Sequence, residues 1–158
     1  MRSLRYTGRM RFGWIGGFRR SHSGSAALEL AVITPFLVLL LIGVVDYGRV
    51  FYTSVTVSNA ARSGAEYGAQ SPITSGDTIG MKNFAQGDGQ EAGTLGLTAR
   101  RYCECGGAAH SCDAVCTSGA APDVFVEVKA TKKVGMLFRY PGLLDTVTVS
   151  RMATFRSQ

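Results

Sequence analysis

What this chain lacks narrows its role before any motif is read. It holds only two histidines, His22 and His110, and neither a Gly-rich phosphate loop nor an HExxH spacing. A cysteine paired with His110 is the one nucleophilic arrangement available, and clustered cysteines outside the cytoplasm are far more often bridged. The expectation is therefore a protein that is not an enzyme and carries no cofactor. Acidic residues are missing from the first 24 positions, where six arginines stand: Arg2, Arg5, Arg9, Arg11, Arg19 and Arg20. The whole chain has 17 basic and 11 acidic groups, net +6, but beyond residue 24 the two signs balance at 11 each. The basicity belongs to the leader, so it reads as a topogenic signal and argues against nucleic-acid binding. Charge is scarce again from Ser25 to Val45, 21 residues in which Glu29 is the one ionisable group.

A helix of that length spans roughly 30 Å, the thickness of a bilayer's hydrocarbon core. Cationic residues favour the cytoplasmic side, which predicts a single-pass protein of the cytoplasmic (inner) membrane with its N-terminus inside and everything beyond Val45 periplasmic or extracytoplasmic. A cleaved secretory signal would need its small residues after the apolar run, whereas Gly24-Ser25-Ala26-Ala27 precede it. Residues 1–24 read as a disordered cytoplasmic leader. Within the span, Thr34-Pro35 removes one backbone hydrogen bond, which predicts a kink or local unwinding at Pro35, with the Thr34 hydroxyl able to satisfy a freed group.

The join between leader and span places Glu29 at the fifth position after Gly24, as Gly24-Ser25-Ala26-Ala27-Leu28-Glu29. This resembles a prepilin-type cleavage site. Together with Leu30, Ala31, Pro35 and the segment Asn59-Ala60-Ala61-Arg62-Ser63-Gly64-Ala65-Glu66-Tyr67-Gly68, the chain resembles the TadE-like pseudopilins of the tight-adherence (Flp) pilus machinery. The resemblance is firm from Gly24 to Gly68 and looser from Leu95 to Arg156. It implies a minor pilin-like subunit that helps pilus assembly, surface adherence and biofilm formation. It also implies a prepilin peptidase acting between Gly24 and Ser25, and partners among other pilin and pseudopilin subunits and the assembly platform. In such pilins the glutamate pairs with the freed amine of a neighbouring subunit, which assigns Glu29 to assembly.

Beyond the span the helical pattern continues as a juxtamembrane amphipathic segment, residues 46–70, with Tyr47, Val50, Phe51, Val57, Ala61 and Ala65 recurring at mostly three- and four-residue spacing. Asp46 with Arg49 and Arg62 with Glu66 are placed to pair along the surface. Gly64, Ala65, Gly68 and Ala69 leave one end nearly bare, to lie against the C-terminal sheet or a neighbouring subunit. Ser71-Pro72 ends the helix. A short helix over 77–86 is expected, capped by Asp77, with Ile79, Phe84 and Ala85 inward. Period-two alternation then marks strands: Leu97, Ala99, Arg101, Cys103 and Cys105 on one face, next Val124, Val126, Val128 and Ala130, then Val147, Val149, Arg151, Ala153 and Phe155. Residues 134–144 are too apolar for a solvated loop and too broken for a strand, and serve either as a core cap or as a contact patch. The predicted fold is α+β, one long N-terminal helix packed by its outer half on a small antiparallel sheet of three or four strands, the pilin-like arrangement that the resemblance also implies.

Residues 71–158 form the exported domain, 88 residues with Cys103, Cys105, Cys112 and Cys116 inside a 14-residue window. Bridges would support so small a core. A zinc site is disfavoured by the one-residue spacing of Cys103 and Cys105, so no metal is expected. Neighbours on one strand face are too far apart to bridge comfortably, which leaves 103–112 with 105–116, or 103–116 with 105–112. The competing functional class is a single-span membrane protein whose disulfide-stabilised extracytoplasmic domain binds a ligand; retention of residues 1–24 would favour it.

Overall fold

The computed structural model describes residues 23–138, 142 and 145–157. Residues 1–22 of the leader and part of the 134–144 segment, including Tyr140, Leu143 and Leu144, lie outside the described residues. The fold is α+β: α1 (Ser23–Ala69), α2 (Pro72–Gly76), α3 (Thr78–Asp88) and a 3₁₀ turn (Gln90–Ala92) precede β1 (Gly96–Cys105), β2 (Ala108–His110), β3 (Asp123–Gly135) and β4 (Thr146–Arg156). By contacts the chain divides into two compact units between Val38 and Leu39.

In the first unit α1 exposes its apolar side chains, and the helix is continuous through Pro35. Its Thr34 hydroxyl donates 2.6 Å to the carbonyl of Leu30, one turn back. The helix is the one described element long and apolar enough to cross a membrane.

The second unit is a four-stranded antiparallel sheet in the order β2-β1-β3-β4, against which α1 from Val50 onward and α3 pack. Val126, Val128 and Ala130 are fully buried, so the alternation of β3 turns one complete face to the helices. From α1 the core takes Val57, Ala60, Ala61 and Ala65. Tyr47 and Phe51, which share the helical spacing, lie on its exposed side instead. The bare end of α1 is covered by α3 and the sheet within the same chain: a Cβ built on Gly64 would come within 2.6 Å of the Met81 carbonyl oxygen, 2.9 Å of Ala85 Cβ and 3.3 Å of Val128 Cγ1.

Helix α3 begins as expected, with the Asp77 carboxylate accepting from Gly80 N–H at 2.8 Å. Its inward face is Met81 and Ala85, and the expected Ile79 and Phe84 are exposed. Phe84 stacks on Tyr67, ring centroids 4.3 Å apart. The reason is steric, because α1 offers Gly64 and Gly68 there and only an unbranched side chain with a small neighbour fills so shallow a gap.

Candidate functional site

Three features carry the sequence expectations. The first is the start of α1, where Gly24, Ser25 and Glu29 are all solvent-exposed. Ser25 and Glu29 are four residues apart in one helix, hence on one face and about 6 Å apart along the axis. Nothing lies within 4 Å of a Cβ built on Gly24, so the glycine is not required by packing.

The second is the cysteine region. Cys103 bonds Cys112 and Cys105 bonds Cys116, with Cα separations of 5.1 and 5.8 Å. The geometry that selects this pairing is a hairpin: β1 turns into β2 through Gly106 and Gly107, both at positive φ (61° and 84°), which puts His110 opposite Cys103. Cys112 then arrives beside Cys103, and the chain continues round to bring Cys116 to Cys105. All four sulfurs are consumed, and among the described residues no group of three or more His, Cys, Asp or Glu side chains is placed to hold a metal ion.

The third feature is Asp46, the residue that follows the span. It pairs with Arg49 as its spacing predicts, but from a buried position and not along the surface. It is only 5% exposed, and its two carboxylate oxygens accept the backbone N–H groups of Leu137 at 2.9 Å and Phe138 at 3.4 Å. Arg49 stands 3.6 Å from the same carboxylate and donates to the carbonyl of Gly135 at 3.4 Å. Gly135, Leu137 and Phe138 are thereby tied to the part of α1 just beyond its apolar run. Of residues 134–144, Val134 belongs to the core whereas Leu137 and Phe138 are 62% and 40% exposed. The described residues of the segment are thus partly core and partly surface.

Polar contacts lock the remaining elements together. Tyr67 donates its hydroxyl to Asp77 at 3.0 Å, and Tyr52 donates to Glu91, so α1 is bonded both to α3's cap and to the 3₁₀ turn. The Gly80 N–H and then the Tyr67 hydroxyl hold the Asp77 carboxyl below its usual range. The Arg100 guanidinium, bidentate at 2.7 Å to both oxygens of Glu127 across β1 and β3, does the same for that residue. An open groove of about 420 Å³ runs between α1 and β4, lined by Tyr47, Phe51, Val149 and Arg151 among others.

No curated protein and no solved structure shows a significant match to this chain. Residues 24–66, which contain Gly24, Glu29, Pro35 and Asp46, match the family model described as TadE-like protein, so over this segment the chain is similar to that family.

Proposed function

We propose that the chain is a minor pseudopilin of a tight-adherence pilus, an assembly subunit and not an enzyme. The observation that carries the reading is the coincidence of the family match with the register it needs: Gly24 and Glu29 open an exposed apolar helix within residues 24–66. On this reading a prepilin peptidase cuts between Gly24 and Ser25 at the cytoplasmic face of the inner membrane. The freed Ser25 amine and Glu29 then offer opposite charges to a neighbouring subunit, where a low dielectric strengthens their attraction. Pro35 softens the helix for packing beside other pilins. The disulfide-bonded domain stands outside the membrane.

N-terminal sequencing of the membrane fraction tests this directly. A mature chain beginning at Ser25 is expected; one beginning at Met1 removes the pseudopilin reading and favours a ligand-binding membrane protein. In a second arm, Glu29→Gln is expected to leave protein level, cleavage and disulfides intact while crosslinking to pilus partners and surface adherence are lost. Full adherence from a cleaved Glu29→Gln strain would show that the carboxylate has no assembly role.

A further inference from the structure

We propose that the segment following β3 is a second membrane contact: Leu137 and Phe138 enter the lipid interface beside the end of the transmembrane helix. The proposal rests on α1 spanning the membrane, and three observations carry it.

The first is depth. Leu137 and Phe138 are hydrogen-bonded to Asp46, one residue beyond the last residue of the apolar run. One residue is about 1.5 Å of helix, while the headgroup layer outside the hydrocarbon is about 5–7 Å thick on each side. A backbone held at the level of Asp46 therefore lies inside that layer.

The second is that this backbone is prepared for scarce water. Non-helical backbone near a membrane must satisfy its polar groups within the protein. Here three successive amides do so: Met136 N–H donates to the Asp145 carbonyl at 3.0 Å, and those of Leu137 and Phe138 to Asp46. The carboxylate that accepts them is itself buried and flanked by Arg49, so no bare charge faces lipid.

The third is what the surface presents. Leu137 at 62% exposure and Phe138 at 40% offer apolar area. On the adjoining helix Tyr47, the residue after Asp46, is exposed as well. Tyrosine and tryptophan concentrate at the headgroup level of membranes, which suits Tyr47. The occupant of this surface is therefore the lipid interface, continuous with the lipid that surrounds the span.

The test uses the full chain in phosphatidylethanolamine–phosphatidylglycerol vesicles, with Trp14→Phe removing the one native tryptophan. Single reporters are introduced as Leu137→Trp, Phe138→Trp, Leu40→Trp in the span and Ile73→Trp on α2. Lipids brominated near the headgroup end of the acyl chain should quench the reporters at 137 and 138 strongly and leave the one at 73 bright. The reporter at 40 should be quenched by deeply brominated lipid. Loss of quenching at 40 would overturn the spanning reading itself. Quenching at 40 with none at 137 or 138 would overturn this proposal alone. Emission at 137 that shifts to the blue as the protein-to-lipid ratio rises, without lipid quenching, would assign the surface to a neighbouring protein and overturn it equally.

Discussion

Replacing Gly64 by alanine sets two effects of known size against each other. Alanine in a helix interior is favoured over glycine by about 1 kcal/mol, so the change would stabilise an isolated helix. In the fold the new methyl meets the Met81 carbonyl oxygen at 2.6 Å and Ala85 Cβ at 2.9 Å, both well inside contact distance. Neither is the movable end of a side chain, so α3 must shift as a body against the Asp77 cap and the sheet. Overpacking of that kind costs about 1–3 kcal/mol, and the stiffness of both neighbours puts it toward the upper end. A net loss of about 1–2 kcal/mol is expected after the propensity gain. Two other glycines in α1 calibrate the result. Gly48 has nothing within 4 Å, so Gly48→Ala should show the propensity gain alone. Gly68 faces the Met81 sulfur at 2.7 Å, the flexible part of that side chain, and Gly68→Ala should fall between the two. Denaturant titration of the detergent-solubilised chain, read by amide exchange at Val126 and Val128, measures all three. A Gly64→Ala protein as stable as Gly48→Ala would refute the close packing of α1 on α3.

Asp46→Ala should speed amide exchange at Leu137 and Phe138 and destabilise the domain by about 2–3 kcal/mol, because two part-buried donors lose their acceptor; Asp46→Asn, which keeps one oxygen, should cost about half, and unchanged exchange at both amides would contradict the contact. The two disulfides close short loops, with sequence separations of 9 and 11, so each should contribute about 2–3 kcal/mol. Intact mass should reveal four alkylatable thiols after reduction and none before, and peptide mapping should return 103–112 and 105–116. Asp77 and Glu127 have folded pKa values below their ordinary 3.8 and 4.5, so the stability they supply is full above those values and is lost as pH falls below them. Asp77→Asn, which can still cap α3, should remove the acid-dependent part of exchange protection at Gly80; an identical acid profile would show that the Asp77 contacts do not set it.

Much of the fold is legible because single elements carry a single strong period. Val126, Val128 and Ala130 alternate against one buried face, and an apolar run of 21 residues is long enough for a membrane span. The direction of α3 is not legible, because hydrophobicity ranks Ile79 and Phe84 above Met81 while the gap left by Gly64 and Gly68 selects for shape. The disulfide pairing had an overlooked signal. Cys105-Gly106-Gly107-Ala108 is a two-residue hairpin pattern, and it alone brings Cys112 back to Cys103. Asp46 defeats sequence reasoning for a different cause: its acceptors' partners are backbone amides, 91 and 92 positions away, and backbone amides leave no mark on composition. The register of Gly24 with Glu29 was readable from spacing, since it is a local pattern.

The last strand has a consequence for how the domain is made. β4 follows every other described element, and its Val149 packs in one cluster with Val57 and Ala60 of α1, 92 and 89 positions earlier in the sequence. Until Thr146–Arg156 are available, β3 has an open edge and α1 has no partner along the groove that β4 completes. The cysteine loops, by contrast, need only nearby sequence. Disulfide closure around the β1–β2 hairpin can therefore precede the part of the core around Val57, Ala60 and Val149, which must wait for β4 and carries the loop-closure cost of that non-local pairing. A chain cut before Thr146 would keep the residues of both disulfides and the buried members Ala65, Met81, Ala85, Val126 and Val128 of one cluster, but would lose Val149 from the other, so β4 completes one half of the core and not the whole.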